Sequence, residues 1–196
     1  AEVYFWLADY YLKARDGAGI LEVLTKFRTR SEADVRGAEV EYYLGEGYRL
    51  AQNYRESLIH YESSLAQGEA FRPQCLLGKG LTYVGLGDFG SAIRTFEAAI
   101  EAARETPDVN LQARFELANA YSRQENFLEA GKAYLSTAIL YEDKDIVPQA
   151  LLRAGESFEK ANRLEDARKA YKELIERFED HPLAEQARQK LKGITP

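Results

Sequence analysis

Residues 80–99 read GLTYVGLGDFGSAIRTFEAA, and this segment decides the fold of the chain. Gly85, Gly87 and Gly90 spell G-x-G-x-x-G, which marks a dinucleotide-binding turn when a strand precedes it and a helix follows. The same segment carries small and aromatic residues at helical spacing on both sides of the glycines. The rest of the chain decides between a nucleotide-binding sheet and a pair of helices.

Large side chains recur along the chain at intervals of 35 to 38 residues, at Tyr11, Tyr48, Tyr83, Tyr121 and Phe158. Three residues before each of them lies an alanine or a glycine. Thirteen residues after each lies a second large residue: Leu24, Tyr61, Phe96, Tyr134 and Tyr171. Because the separation of thirteen never varies, all length variation falls between units. This pattern predicts rigid two-helix units that are joined by variable loops.

Each residue type fits a helical hairpin. A small residue on the first helix lets the second helix approach closely, and the aromatic one turn later fills the adjacent space. Glycine and asparagine between the helices suit a helix C-terminus. Pro73 and Pro148 stand at equivalent positions near the start of a first helix, where the missing N–H of proline costs little.

These offsets resemble the tetratricopeptide repeat family, and the clearest unit is Gly80-x-x-Tyr83-x-x-x-Gly87-Asp88-Phe89-x-x-Ala92-Ile93-x-x-Phe96-x-x-Ala99. The resemblance implies an all-α, right-handed superhelical solenoid of five helix-turn-helix repeats. The units span about 1–34, 38–71, 73–106, 111–144 and 148–181, followed by a capping helix at about 182–193. We expect one solenoid domain over 1–196, cut from a longer chain because the first residues already follow a helical pattern.

The glycine motif falls at the inter-helix turn of the third unit, and the other units have no glycine cluster at that turn. We therefore interpret it as turn chemistry, and we expect no cofactor. Ser157 and Lys160 match S-x-x-K, but the partner motifs of that enzyme class are absent, so a solvated polar pair is expected. The acidic loop with Glu142, Asp143 and Asp145 lacks calcium-loop spacing. The sequence predicts a protein that is not an enzyme and holds no metal.

Charge and hydropathy exclude other classes of partner. A formal charge of −6 argues against nucleic acid as the main partner. The apolar runs are shorter than the ~20 residues of a membrane helix, so direct membrane insertion is not expected. Cys75 is the only cysteine, and we expect it to be a buried small apolar residue.

The resemblance implies that first helices line a concave groove that binds a protein or peptide partner. One inward row is apolar and consists of Phe5, Tyr42, Leu77, Phe115 and Leu152. A second row carries a carboxylate or an amide in every unit, at Glu2, Glu39, Gln74, Gln112 and Gln149. A third row is mixed and consists of Asp9, Glu46, Leu81, Asn119 and Glu156. Apolar side chains could anchor the partner, and amides could satisfy its backbone. The apolar row could equally cover neighbouring repeats, and the sequence leaves both interpretations open.

Further residues bear on other classes of partner and on the compartment. Family co-chaperones clamp C-terminal carboxylates with Lys, Asn and Arg, and only Asn119 and Arg153 are of that kind here, which disfavours this class. Self-association or packing on upstream repeats through the first helix, with Tyr4 and Trp6, is an alternative. The C-terminal unit is similar to bacterial envelope tetratricopeptide proteins, namely the Tol-Pal accessory protein and outer-membrane assembly lipoproteins. A periplasmic or cell-envelope location is therefore expected, with the cytoplasm as the alternative.

Overall fold

The computed structural model describes residues 1–29 and 36–194, and every regular element within these ranges is an α-helix. The helices are α1 (Glu2–Lys13), α2 (Gly17–Arg28), α3 (Gly37–Leu50), α4 (Tyr54–Ala66), α5 (Arg72–Leu86), α6 (Phe89–Ala102), α7 (Pro107–Arg123), α8 (Phe127–Leu140), α9 (Ile146–Lys160), α10 (Leu164–Arg177) and α11 (Pro182–Gly193). They form five hairpins followed by α11, so the predicted all-α fold of five repeats and a capping helix is confirmed. The predicted end of the first repeat at residue 34 lies outside the described residues.

The chain divides into two compact units, Ala1–Val109 and Asn110–Pro196. Unit 1 contains α1 to α6, and unit 2 begins inside α7 and contains α8 to α11. The expectation of one continuous solenoid domain over 1–196 stays a prediction.

Every hairpin turn has the same backbone conformation. A residue with positive φ lies four positions after each repeating aromatic: Arg15 (57°), Gln52 (61°), Gly87 (75°), Glu125 (63°) and Asn162 (55°). The N–H of the following residue then donates to the carbonyl oxygen of that aromatic, over 2.8 to 3.0 Å in all five turns. This bond closes the helix C-terminus in the usual left-handed way.

The glycine motif of residues 85–90 is therefore turn chemistry, as predicted. Helix α5, not a strand, precedes it, and Gly87 is the left-handed cap of that helix. Asp88 then caps α6 by accepting a hydrogen bond from the N–H of Ser91 over 3.0 Å. The geometry that a dinucleotide requires, a strand leading into the turn, does not occur here.

The small residues of the first helices allow close packing within hairpins, as expected. A Cβ atom added to Gly80 would lie 2.4 Å from the ring of Phe96, and one added to Gly155 would lie 2.3 Å from the ring of Tyr171. Ring and glycine backbone are therefore in direct contact. This contact explains why the small residue and the large residue recur together along the chain.

Each unit has its own apolar core. In unit 1, a core cluster joins α1, α2 and α3 through seven buried residues: Phe5, Ala8, Ile20, Leu24, Phe27, Val40 and Leu44. Cys75 is also fully buried in this unit, and its thiol donates to the hydroxyl oxygen of Ser64 on α4 over 3.3 Å, so the expected packing role is confirmed. In unit 2, a larger cluster runs from Phe115 on α7 to Ile194 after α11.

Helix α11 closes unit 2 as a cap. Ala184 and Ala187 are fully buried, and the half-buried Leu191 packs against the unit 2 core. His181 caps the helix by accepting a hydrogen bond from the N–H of Leu183 over 3.2 Å. The predicted capping helix at 182–193 is confirmed.

Candidate functional site

Unit 2 has a cleft of about 430 Å³ where α7 and α9, the first helices of two successive hairpins, lie alongside each other. Most of its lining is polar or charged, and the residues are Phe115, Glu116, Asn119, Ser122, Arg123, Tyr134, Arg153, Glu156, Ser157 and Lys160. Three of the residues assigned to the groove from the sequence, Phe115, Asn119 and Glu156, are among them. The volume falls within the range of ordinary ligand sites, about 300–1,000 Å³.

Asn119 organises the centre of this cleft. Its side-chain oxygen accepts hydrogen bonds from the hydroxyl of Tyr134 and from the guanidinium of Arg153, over 2.5 Å each. Its amide nitrogen donates to Glu116 over 3.0 Å. Since two donors converge on one oxygen, the orientation of the amide is fixed. Asn119 therefore positions Arg153 instead of offering a free amide.

Arg153 is also held by an aromatic face. Its guanidinium carbon lies 5.1 Å from the centre of the Phe115 ring, and Phe115 packs edge-on against Tyr134 with ring centres 5.6 Å apart. Among the ion pairs of the described residues, none involves Arg153. Its contacts are thus an amide oxygen and a ring, which leave the charge without a carboxylate partner in those parts of the chain.

The cleft carries more positive than negative charge. Arg123, Arg153 and Lys160 contribute three cations, whereas Glu116 and Glu156 contribute two carboxylates. The carboxylate of Glu156 also forms an ion pair with Lys190, whose ammonium lies 3.6 Å from it. In a chain with a formal charge of −6, this is a local reversal of sign. Burial raises the pKa of Tyr134, which keeps its phenol protonated as a donor.

Ser157 differs from the sequence-based expectation. It was expected to form a solvated pair with Lys160, but only 4% of Ser157 is exposed. Lys160 is exposed, and its ammonium lies 4.9 Å from the centre of the Phe127 ring. The reason for the difference is that α9 packs against both α8 and α10, which leaves this position of the helix buried.

The apolar row predicted from the sequence is divided between the two units, and most of it is buried. Less than a tenth of Phe5, Leu77, Phe115 and Leu152 is exposed. Tyr42 is half-buried and stacks on Phe71, with ring centres 5.2 Å apart. These side chains mainly cover neighbouring helices within their units, and their contact with a partner stays a prediction.

The acidic positions predicted in unit 1 have partners inside the protein. Glu39 pairs with Arg36 over 2.5 Å. Only 5% of Glu46 is exposed, and its two carboxylate oxygens accept from the hydroxyl of Tyr61 and from the guanidinium of Arg49. Glu46 is therefore part of the packed interior of unit 1.

The predicted glutamine row is heterogeneous. The side-chain oxygen of Gln74 is buried without a hydrogen bond to any described residue. Gln112 is exposed, and the Gln149 amide donates to the backbone oxygen of Asp145 over 2.9 Å. Any contact of these three glutamines with a partner stays a prediction.

Sequence reasoning missed Arg123, Lys160 and Tyr134 as cleft residues. Arg153 and Lys160 are seven positions apart, and Asn119 and Arg123 are four apart, so helical spacing could have placed each pair on one face. It could not have predicted that the face of α7 meets the face of α9, because this depends on packing between hairpins.

Two further properties of the described residues bear on the class of site. The described residues contain no group of three or more His, Cys, Asp or Glu side chains that could hold a metal ion. Asp143 instead accepts hydrogen bonds from the N–H groups of Asp145 and Ile146 at the start of α9. Within the same residues, no helix has the length and apolar content needed to span a bilayer.

Comparison with solved structures shows the same fold at low sequence identity. The MamA protein is 18% identical with a TM-score of 0.68, and the alignment covers 91% of each chain. YrrB, described as a TPR protein with an unusual peptide-binding site, is 20% identical with a TM-score of 0.65, over 95% of this chain and 90% of its own. A STAND ATPase with a tetratricopeptide repeat sensor from Pyrococcus horikoshii has a TM-score of 0.77 at 20% identity, and this chain, covered over 98%, spans 32% of it.

No curated protein sequence matches the chain significantly. Two family models, both described as tetratricopeptide repeat, match residues 77–150 and 149–181. Together these matches span more than half of the chain, and the five hairpins repeat the same turn and packing geometry. The chain therefore belongs to the tetratricopeptide repeat family.

Proposed function

We propose that this chain is a non-catalytic scaffold that binds a short peptide segment of a partner protein, and that the cleft between α7 and α9 is the contact site. The observation that carries the proposal is the arrangement of Arg153, which is oriented by Asn119 and Phe115 without a carboxylate partner among the described residues. An oriented guanidinium in a cleft is ready to donate to carboxylate or carbonyl oxygens. The peptide-binding site named for the similar protein YrrB supports this kind of ligand.

The size of the cleft favours a short segment over a whole helix. A volume of about 430 Å³ accommodates a few side chains, whereas a helix with its side chains is about 10–12 Å wide. Because the apolar row is largely buried, the expected affinity comes mainly from polar contacts. Hydrogen bonds to charged groups contribute about 1.5–3 kcal/mol each, and a micromolar complex needs roughly 8 kcal/mol. Three or four such contacts would give weak binding after ordering costs.

A charge-reversal variant tests this site. A random peptide library is displayed on phage and selected against the native chain, and the affinities of the selected peptides are measured by fluorescence anisotropy. Arg153→Glu is expected to weaken binding at least about tenfold, since it removes a charged donor and adds repulsion. The matched control is Lys169→Glu, which reverses an exposed charge on α10 of the same unit outside the cleft.

The outcomes separate the cleft from other surfaces. Loss of binding in Arg153→Glu with retention in Lys169→Glu supports the proposal, provided that both variants keep the native melting temperature. Equal binding by the native chain and both variants would rule out the cleft as the peptide site. A decrease of affinity with rising salt is expected in addition, because exposed charges are screened.

The proposal extends to the compartment. The resemblance of the C-terminal unit to envelope proteins favours a role in a bacterial envelope assembly, in the periplasm or at the cell envelope. Fractionation of the source cells with an antibody against this chain tests this. Recovery with the periplasmic or envelope fraction is expected, and recovery in the cytoplasm alone would refute it.

A further inference from the structure

Helix α1 presents an apolar stripe to solvent. Val3, Trp6 and Tyr10 are 68%, 66% and 56% exposed. The rings of Trp6 and Tyr10 are stacked on each other with centres 6.0 Å apart and planes 18° apart. These positions are separated by three and four residues, so they form one face of the helix. A continuous apolar face of this kind usually marks a contact with another protein surface.

The stripe is not shaped to receive another hairpin in the way that internal hairpins stack. The repeat pattern places Tyr10 at the position of Gly47 on α3, where an added Cβ would lie 3.0 Å from Leu21 and 3.1 Å from Ile20 on α2. The equivalent Thr82 and Ser157 are small and buried. A tyrosine at this position would collide with a helix packed as α2 packs on α3. The occupant of the α1 face must therefore pack differently.

Charges on α1 indicate which occupant fits. Glu2 lies in the first turn and Lys13 in the last. They are about three full turns apart, so both lie on the same flank of the stripe. The side chain of Glu2 is 89% exposed and pairs with Arg36 over 2.7 Å. That of Lys13 is 77% exposed and pairs with Asp9 on its own helix over 2.6 Å. Because exposed ion pairs contribute little to stability, both side chains can exchange these partners for partners on a second chain. When two identical helices of this kind pair antiparallel, Glu2 of each faces Lys13 of the other.

We propose that this chain self-associates through antiparallel pairing of α1 with α1 of a second copy. The register that brings Glu2 next to Lys13 of the second copy also brings Trp6 next to Tyr10 of the second copy. Each copy then contributes the same stripe, as a two-fold symmetric contact requires. Aromatic pairs provide the attraction, and the flanking charges fix the direction and register of the helices.

Trp6 is the only tryptophan of the chain and therefore reports on this contact directly. We expect the native chain to show a concentration-dependent monomer–dimer equilibrium in sedimentation velocity, with a blue shift of tryptophan emission as the dimer forms. Tyr10→Ser retains the reporter and is expected to raise the dimer dissociation constant at least about tenfold. The matched control is Ile139→Ser on α8, which removes an equally exposed apolar side chain from unit 2 and leaves the equilibrium unchanged.

A charge-exchange pair tests the antiparallel register. Lys13→Glu is expected to weaken the dimer, because two carboxylates then face each other at each end of the contact. Glu2→Lys combined with Lys13→Glu is expected to restore it, because opposite charges face each other again. Circular dichroism verifies that the variants remain helical.

Three results would overturn the proposal. The first is a native chain that stays monomeric, with unchanged tryptophan emission, at every concentration tested. The second is a dimer whose dissociation constant is the same in Tyr10→Ser. The third is a double charge variant that dimerises no better than Lys13→Glu alone. None of these results depends on peptide binding at the cleft of unit 2.

Discussion

Replacing Tyr61 by phenylalanine removes one hydroxyl from a buried carboxylate, and we expect this to lower the free energy of unfolding by about 2 kcal/mol. The hydroxyl donates to Glu46 over 2.5 Å. The side chain of Glu46 is only 6% exposed, and that of Arg49, its other partner, is 16% exposed. Water therefore has little access to the oxygen that loses its donor. Hydrogen bonds to charged groups contribute about 1.5–3 kcal/mol, and the remaining bond from Arg49 keeps the expected loss below the upper limit.

Tyr171→Phe provides the matched control in unit 2. Tyr171 occupies the same repeat position and donates to Glu159, but the side chain of Glu159 is 29% exposed. Water can replace the lost donor there, so we expect a loss of about 1 kcal/mol or less. Both tyrosines are buried, and their substitution removes the same atom.

Urea unfolding followed by far-UV circular dichroism measures both losses. With an m-value of about 2 kcal/mol/M, the midpoint should fall by about 1 M for Tyr61→Phe and by about 0.5 M or less for Tyr171→Phe. Equal shifts, or a larger shift for Tyr171→Phe, would refute the argument that the exposure of the acceptor decides the cost.

Three further changes have expected outcomes. Glu125→Gly should raise the free energy of unfolding by about 0.5–1 kcal/mol, since Glu125 has a φ of 63° and glycine adopts this conformation without strain; thermal unfolding that shows a lower melting temperature would contradict this. Gly155→Ala should cost about 1–2 kcal/mol, because the added methyl group would lie 2.3 Å from Tyr171 and overpacking outweighs the gain in helix propensity; calorimetry showing an unchanged transition would count against it. Burial acts to raise the pKa of Glu41, but the bond and charge of His60 outweigh it and hold the pKa below its usual value. This contribution to stability is present above the unfolded pKa of about 4.3 and is lost as the pH falls through the lower folded pKa. Urea midpoints of Glu41→Gln at about pH 6 and about pH 3 should therefore differ less than those of the native chain, and an equal difference would exclude this role.

The fold could be predicted from the sequence because each hairpin repeats the same local requirements. The contact between Gly80 and the ring of Phe96 sets the distance between α5 and α6. The small and the large residue type that make this contact can both be read from the sequence. The left-handed turn residue was visible only at Gly87 and Asn162, since Arg15, Gln52 and Glu125 are unusual in that conformation. Their left-handed conformation follows from their place in the repeat and not from the intrinsic preference of these residue types.

The candidate site was harder to predict, since it depends on how first helices of successive hairpins meet. Phe115 and Asn119 were assigned to the groove, and both line the cleft of unit 2. The sequence could not indicate that Asn119 would be fully engaged with Tyr134 and Arg153. Nor could it indicate that Glu46 would be buried, because a carboxylate in the interior requires two donors brought from separate positions.

The buried thiol of Cys75 can report on local opening of unit 1. Burial raises its pKa to about 11, so the reactive thiolate is scarce at neutral pH. The side chain is also fully covered, beside Ser64 of the neighbouring helix. A thiol reagent can therefore modify this cysteine only after α4 and α5 separate. Since no other cysteine competes, the rate of modification measures how often the middle of unit 1 opens while the chain remains folded.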